Sequence, residues 1–204
     1  MLEKLPDAIG HALRDQRAGL DKIAFQAVDL RAGMASITVG SLAFADHAPI
    51  PERYTADGPG VSPPLHWSGV PEGAASLLLI VEDADAPTPQ PLVHAIVVDL
   101  PAGDGALAEA TLDSPDHDGA GLKTGRNSFL QTKWLPPDPP PGHGVHRYAF
   151  QVFALAAGAG FDGSPGREAV LEAIRDHGLA SGCLIGTYER DTTITEPSAS
   201  PVLA

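Results

Sequence analysis

Ser76-Leu77-Leu78-Leu79-Ile80-Val81-Glu82 runs directly into Asp83-Ala84-Asp85-Ala86-Pro87. An unbroken aliphatic run of this length between polar residues reads as a strand buried on both faces, ending where carboxylates and a proline stop it. Two more runs read the same way: residues 92–100, after a proline-punctuated turn, and residues 145–155, after Gly142-His143-Gly144. Shorter strands are expected over 36–42, which alternates, and over 183–189. Ser164-Pro165 opens a helix with Glu168 in its first turn, Val170, Leu171 and Ile174 on its apolar face, and Gly178 as its stop. Residues 48–71 read as a long ordered loop. Residues 101–144 show little regular pattern, and so long a loop is expected to help wall a site. Many strands and two convincing helices define a mainly β fold, a central β-sandwich with a few peripheral helices.

The chain has 204 residues and a formal charge of −13, from 26 acidic against 13 basic residues. That balance excludes sequence-independent nucleic-acid binding, which needs a basic footprint, and docking on an anionic bilayer through a polybasic patch. Glu3, Lys4, Asp7 and Arg14 interrupt the N-terminus, so no signal-peptide core is read there, and no apolar stretch approaches the ~18 residues of a membrane span. Cys183 is the single cysteine and demands no oxidising compartment. A cytoplasmic protein without stable membrane insertion is expected. Glycine (22) and proline (20) together make about a fifth of the chain and punctuate the apolar runs, which is the mark of short strands joined by turns.

Two units are expected: an N-terminal helical extension over 1–35 and a main domain over 36–204. Leu2, Leu5, Ile9, Ala12 and Leu13 fall near one face of an amphipathic helix that ends near residue 17. A helix so short needs a surface to dock on. The two surfaces weighed are the chain's own sandwich and a second subunit, and the expectation leans to a homodimer closed through the extension.

Candidate site residues cluster at strand ends, where a rigid scaffold aims side chains into one cavity. Asp83 and Asp85, two apart, share a face in extended geometry, as the carboxylates of a solvated strand end also do. His94 falls on the face of Ile96 and Val98, the position of either a site histidine or a core histidine bonded to backbone. His146 shares a face with Tyr148, Phe150 and Val152, and the glycines around His143 point to a close approach by a ligand or a loop. Arg126-Asn127 is either a polar wall or a turn. An Asp/Asp/His/His set has metal-ligand types, but no dense motif such as His-x-x-x-His occurs, so neither a metal nor another cofactor is expected. Cys183 sits in an apolar strand and reads as an inert thiol.

With these residues in hand, the chain resembles the phosphatidylethanolamine-binding protein family, in particular the bacterial branch related to the Raf kinase inhibitor proteins. Asp83, Asp85 and Pro87 match an Asp-Pro-Asp-x-Pro motif, with Ala84 in place of the first proline. Gly144, His146 and Arg147, followed by Tyr148, match a Gly-x-His-Arg motif. Tyr54-Thr55-Ala56-Asp57-Gly58, Ser62-Pro63-Pro64-Leu65-His66-Trp67 and Gly186-Thr187-Tyr188 are similar to flanking segments of the family. The resemblance covers roughly residues 36–190. It implies a β-sandwich and a ligand site of Asp83, Asp85, Pro87, His94, His146 and Tyr148 that accepts a phosphate or phosphorylated head group, with a cis bond before Pro87. Two departures shape the expectation. Ala84 loosens the turn, and Leu92, Val93 and Ala95 surround His94 where the family offers an aromatic, removing a cation–π surface for an amine. The expected ligand is therefore a small anion, a phosphate or phosphoester, bound by a regulatory protein and not an enzyme. The alternatives are an inhibitor of a kinase or protease acting through protein–protein contact and, third, a metal-assisted hydrolase.

Overall fold

In the computed structural model, which describes residues 7–28, 30, 36–113 and 121–190, the three apolar runs lie side by side at the centre of one sheet. In chain order the strands are β1 (Thr38–Gly40), β2 (Ala48–Pro49), β3 (Leu65–Ser68), β4 (Ser76–Asp83) and β5 (Leu92–Pro101). They continue with β6 (Gly105–Leu107), β7 (Lys123–Thr124), β8 (His146–Leu155) and β9 (Gly178–Tyr188). The large sheet runs β2-β9-β8-β4-β5-β7, and a small sheet runs β1-β3-β6. Their pairings are antiparallel except β2 with β9.

Strand periodicity divides the core into two layers. Leu77, Leu79, Val81, Tyr148, Phe150 and Val152 face the small sheet and pack with its Val39, Leu65, Trp67 and Leu107. Leu78, Ile80, Ile96, Phe153 and Leu155 face the other way. There they are covered by helix α3 (Arg167–His177), through Val170, Leu171 and Ile174, and by the N-terminal segment through Ala24 and Val28. The fold is the expected sandwich with peripheral helices. Among the described residues no helix is long and apolar enough to cross a membrane.

Several local readings need correction. β3 lies inside the stretch read as loop, where Leu65 and Trp67 point inward while His66 and Ser68 point out. β6 and β7 interrupt the supposedly patternless 101–144. α3 starts at Arg167 with Gly166 as its N-cap, two residues beyond the expected Ser164. Gly178 does stop the helix, but β9 begins at once, five residues before Cys183.

The N-terminal helix α1 (Asp7–Ala12) ends at Ala12, before the expected residue 17, while Leu2 and Leu5 lie outside the described residues. The chain after it lies on the sandwich: the N–H groups of Ala18 and Gly19 donate to the carbonyls of Ala86 (3.0 Å) and Ala84 (2.7 Å). A 3-10 turn (Leu20–Lys22) and the short helix α2 (Ala24–Ala27) follow. Glu82, fully buried on β4, anchors this segment. Its carboxylate accepts the Ala24 N–H at 2.7 Å, Gln151 Nε2 at 2.8 Å and Arg167 Nε at 2.6 Å. Gln151 Oε1 in turn accepts the Phe25 N–H at 2.7 Å, and Arg167 Nη2 donates to the Lys22 carbonyl.

Candidate functional site

At one end of the large sheet, Asp83 on β4 pairs with Tyr148 on β8, so both side chains join His146 on the face toward the small sheet. His94 reaches the same place by an irregularity. Val81 pairs with Ala95 but Glu82 with Val93, which leaves His94 as the extra residue of a β-bulge. The bulge turns His94 away from Ile96 and Val98, the face that simple alternation gives it, and against Tyr148 and Trp134. Its ring centroid lies 5.1 Å from that of Tyr148, edge-on.

This sheet end floors a cavity of about 380 Å³, and Tyr148, fully buried, is not in its lining. Asp83, His94 and His146 line it with Pro87, and the long loop supplies most of the wall through Phe129, Gln131, Leu135, Pro136, Asp138 and Pro139. The loop is stitched to β5: Gly125 N–H donates to Ile96 O, Ser128 N–H to Val93 O and Leu135 N–H to His94 O, each at 3.0 Å. Asn127 resolves as a turn residue, its Oδ1 accepting the N–H groups of Phe129 and Gln131. Phe129 puts an aromatic ring on the wall, and Trp134 lies 6.1 Å from His94, so the aromatic surface missing beside His94 in sequence is supplied by the loop. The wall is mostly apolar. Asp138 is a second carboxylate in it, paired with Arg190 at 2.8 Å.

The two aspartates part company. β4 ends at Asp83, and the chain turns: Asp83 Oδ1 accepts the Asp85 N–H at 2.8 Å, while Oδ2 faces His146 Nδ1 at 2.7 Å. Asp85 is fully buried beside the cavity but not in its lining. It takes Arg147 Nε at 2.7 Å and Nη2 at 2.6 Å, the Arg147 N–H, and Arg17 Nη1 at 3.0 Å. Burial pushes the Asp85 carboxyl up, but the hydrogen bonds from Arg147 and Arg17 outweigh it and hold the pKa below the ordinary aspartate value. The turn is also not loosened by Ala84. Its N–H donates to the Arg147 carbonyl at 2.9 Å, a bond proline has no hydrogen to make. The Ala86–Pro87 bond is trans, contrary to the expectation. The carbonyls of Ala84 and Ala86 accept from the N–H groups of Gly19 and Ala18, which fixes the path of the turn by backbone pairing.

His94 Nδ1 faces the Leu135 carbonyl at 2.6 Å, so in the neutral ring Nδ1 carries the hydrogen and Nε2 is a bare acceptor. Burial lowers the His94 pKa, which favours that neutral ring. Among the described residues Nε2 has no partner, and neither does the Tyr148 hydroxyl, whose pKa burial raises well above the usual phenol. His146, by contrast, has both nitrogens engaged: Nδ1 with Asp83, and Nε2 with His143 Nδ1 at 2.7 Å. His143 Nε2 in turn donates to the Leu13 carbonyl at 2.8 Å.

The glycines around His143 serve the approach of a loop. Gly142 and Gly144 have φ of 74° and 90°, and side chains there would meet His11 and Arg17 of the N-terminal segment. Arg17 caps this corner, donating to the carbonyls of Val145 (2.7 Å) and His143 (2.8 Å). Nothing in the local sequence marks Arg17 or Leu13 as site neighbours. Phe129 and Leu135 lie in a stretch without periodicity. Among the described residues, no group of three or more His, Cys, Asp or Glu is disposed to hold a metal ion. The Cys183 thiol is pushed up to about 12 by burial, which makes it a poor nucleophile.

Comparison with known proteins gives this sandwich a family. The phosphatidylethanolamine-binding protein profile matches residues 40–189, and the chain belongs to that family. A UPF0098 protein of Aquifex aeolicus is 38% identical over 161 residues, covering 78% of this chain and 92% of the relative. One from Methanothermobacter thermautotrophicus is 40% identical over 151 residues, covering 72% and 95%. Among solved structures, a Chlamydia trachomatis homologue of the phosphatidylethanolamine-binding proteins is 36% identical with a TM-score of 0.68, covering 76% of this chain and 99% of its own. Escherichia coli YbcL, described as a member of the mammalian family, is 28% identical with a TM-score of 0.70 and the same coverage.

Proposed function

We propose that this protein binds a small anion or anionic head group, phosphate or phosphoester, in the cavity above Asp83, His94 and His146, and that its role is regulatory and not catalytic. The observation that carries the reading is a pair of buried polar groups without partners among the described residues: His94 Nε2, on a residue lining a mostly apolar cavity, and the Tyr148 hydroxyl, on the ring packed against His94. A buried polar atom without a partner costs about 1–3 kcal/mol, and a ligand that satisfies both recovers that cost. The phenol donates. His94 Nε2 accepts when neutral and donates when protonated.

Charge decides what enters. His94 Nε2, a bare acceptor in the neutral ring, meets a fully ionised phosphate lone pair to lone pair, so such an anion arriving alone meets repulsion. The anion must bring a proton, either on itself, given to Nε2, or by converting His94 to an imidazolium. The apolar wall with Phe129 suits an organic substituent on the anion.

Affinity for inorganic phosphate, followed by calorimetry, is therefore expected to fall as pH rises from 5.5 to 8. Sulfate, which keeps its charge across this interval, is expected to fall in parallel because His94 must then supply the proton. His94→Gln should flatten the sulfate profile. Equal phosphate affinity at the two pH values rules the reading out.

A further inference from the structure

Three hydrogen bonds in line join four groups: the Leu13 carbonyl, His143, His146 and Asp83, at 2.8, 2.7 and 2.7 Å. Three such bonds need three protons. An ionised Asp83 and two neutral imidazoles supply two, so the chain holds one more. Its place follows from the far end. A carbonyl only accepts, so the hydrogen is on His143 Nε2. The His143 ring is fully buried, and its pKa is lowered by that burial, against the bond to Leu13 and with help from His146 and Arg17. It is neutral, and its Nδ1 is therefore a bare acceptor. His146 Nε2 must then donate, and the extra proton lies on the His146 Nδ1–Asp83 contact.

We propose that His143, set in one tautomer by the Leu13 carbonyl, is a positioning residue of the ligand site that keeps His146 doubly protonated beside the Asp83 carboxylate. The pair is then neutral as a unit, and the cavity floor does not repel an incoming anion. Without that proton, the Asp83 charge faces the cavity uncompensated. Leu13 lies outside the family match, which begins at residue 40. The N-terminal segment is thus a working part of the site, and whatever lifts it from the sandwich changes the charge of the pocket floor.

The other groups around His146 are consistent with this balance. His94, on β5, is neutral. Tyr148, next inward on β8, stays a phenol. Asp138, on the loop, is paired with Arg190. Asp85, in the turn after β4, is spent on Arg147 and Arg17.

The test reads protons directly, by nitrogen-15 NMR of the ring nitrogens in the full chain near neutral pH. Wild type is expected to show His146 protonated at both nitrogens. His143→Leu is expected to leave it with one bare nitrogen. His143→Gln should restore the wild-type state, since an amide can donate to Leu13 and accept from His146. Phosphate affinity near neutral pH should fall about tenfold in His143→Leu, because the Asp83 charge then faces the anion without its counter-charge, and recover in His143→Gln. A singly protonated His146 in wild type, or one unchanged in His143→Leu, overturns the proposal, and the wild-type spectrum decides it even if the leucine variant fails to fold. The consequence for phosphate rests on the anion-binding reading. If phosphate binds at no pH while the NMR states follow the expected order, that reading falls and the role of His143 stands.

Discussion

Glu82 and Asp83 are neighbours on β4, both buried, and they point to opposite faces of the same sheet. The two faces treat polar groups differently. Around Glu82, each carboxylate oxygen, the Gln151 amide and the Arg167 guanidinium have partners, and several of those partners belong to the N-terminal segment. Around Asp83, the His94 Nε2 and Tyr148 hydroxyl have none among the described residues, nor does the nearby indole of Trp134. Folding alone accounts for the first face, because a polar cluster that holds a segment in place must be fully satisfied to be worth its burial. It does not account for the second. Hydrogen-bonding capacity left unused in a core is open to a ligand or to ordered water.

The largest effect should come from breaking the satisfied face. Glu82→Ala leaves Arg167, 14% exposed, without its buried counter-charge, with only the exposed Glu168 at 3.7 Å, and frees the Ala24 N–H and Gln151. Removing one partner of such a buried pair costs about 3–5 kcal/mol. Urea denaturation should show that loss. A cost under about 1 kcal/mol would mean the polar cluster does not hold the fold.

Asp85 tests the boundary between the faces, and its effect should be smaller. Asp85→Asn keeps the shape but weakens the bonds to Arg147 and Arg17, both partly exposed, at a cost of about 1.5–3 kcal/mol. The pH dependence has a definite sign. Because the folded-state pKa is depressed, the contribution of Asp85 is complete above the unfolded value of about 3.9 and is lost as pH falls through the folded value. Wild type should therefore lose stability on acidification below about pH 4 more steeply than Asp85→Asn. Parallel acid limbs for the two proteins would remove Asp85 as an ion-pair anchor.

How much of this was legible follows the range of the interactions. β4, β5, β8 and the face of α3 are written in continuous or periodic apolar residues, so the sheet's centre and its helical cover could be read locally. β3 carried a two-residue alternation as well, but Pro63-Pro64 and the glycines around it masked a strand four residues long. The site residues Asp83, Pro87, His94 and His146 were all named from the sequence and meet in one cavity. Their geometry was only half readable. Alternation puts Asp85 beside Asp83 and His94 beside Ile96, whereas a turn at Ala84 sends Asp85 to the arginines and a bulge sends His94 to Tyr148. Bulges and turns are set by cross-strand pairing, which one strand's sequence does not carry. Arg17, Leu13 and Phe129 touch the site across more than a hundred residues of chain, or from a loop without period. No local signal marks them. Glu82 read as the polar end of a buried strand, and its partners in the extension became visible only once the segment was seen lying on the sheet.

The smallest change in chemistry gives the sharpest contrast between the faces. Tyr148→Phe deletes one oxygen from a fully buried ring whose packing against His94, and stacking with His146 at 6.3 Å, remains. On a satisfied face such a deletion costs stability, because the partner is left unpaired. Here no partner is lost, and the buried hydroxyl is itself the liability. Tyr148→Phe is therefore expected to leave stability unchanged or to raise it by up to about 1 kcal/mol. It should at the same time weaken phosphate binding about tenfold or more, since a hydrogen bond to a charged group is worth about 1.5–3 kcal/mol. Melting temperature and phosphate affinity measured on the same preparation would then move in opposite directions, the pattern of a residue kept for binding at the expense of the fold. If both fell together, the hydroxyl would have a structural partner, and the unused capacity on this face would shrink to His94 alone.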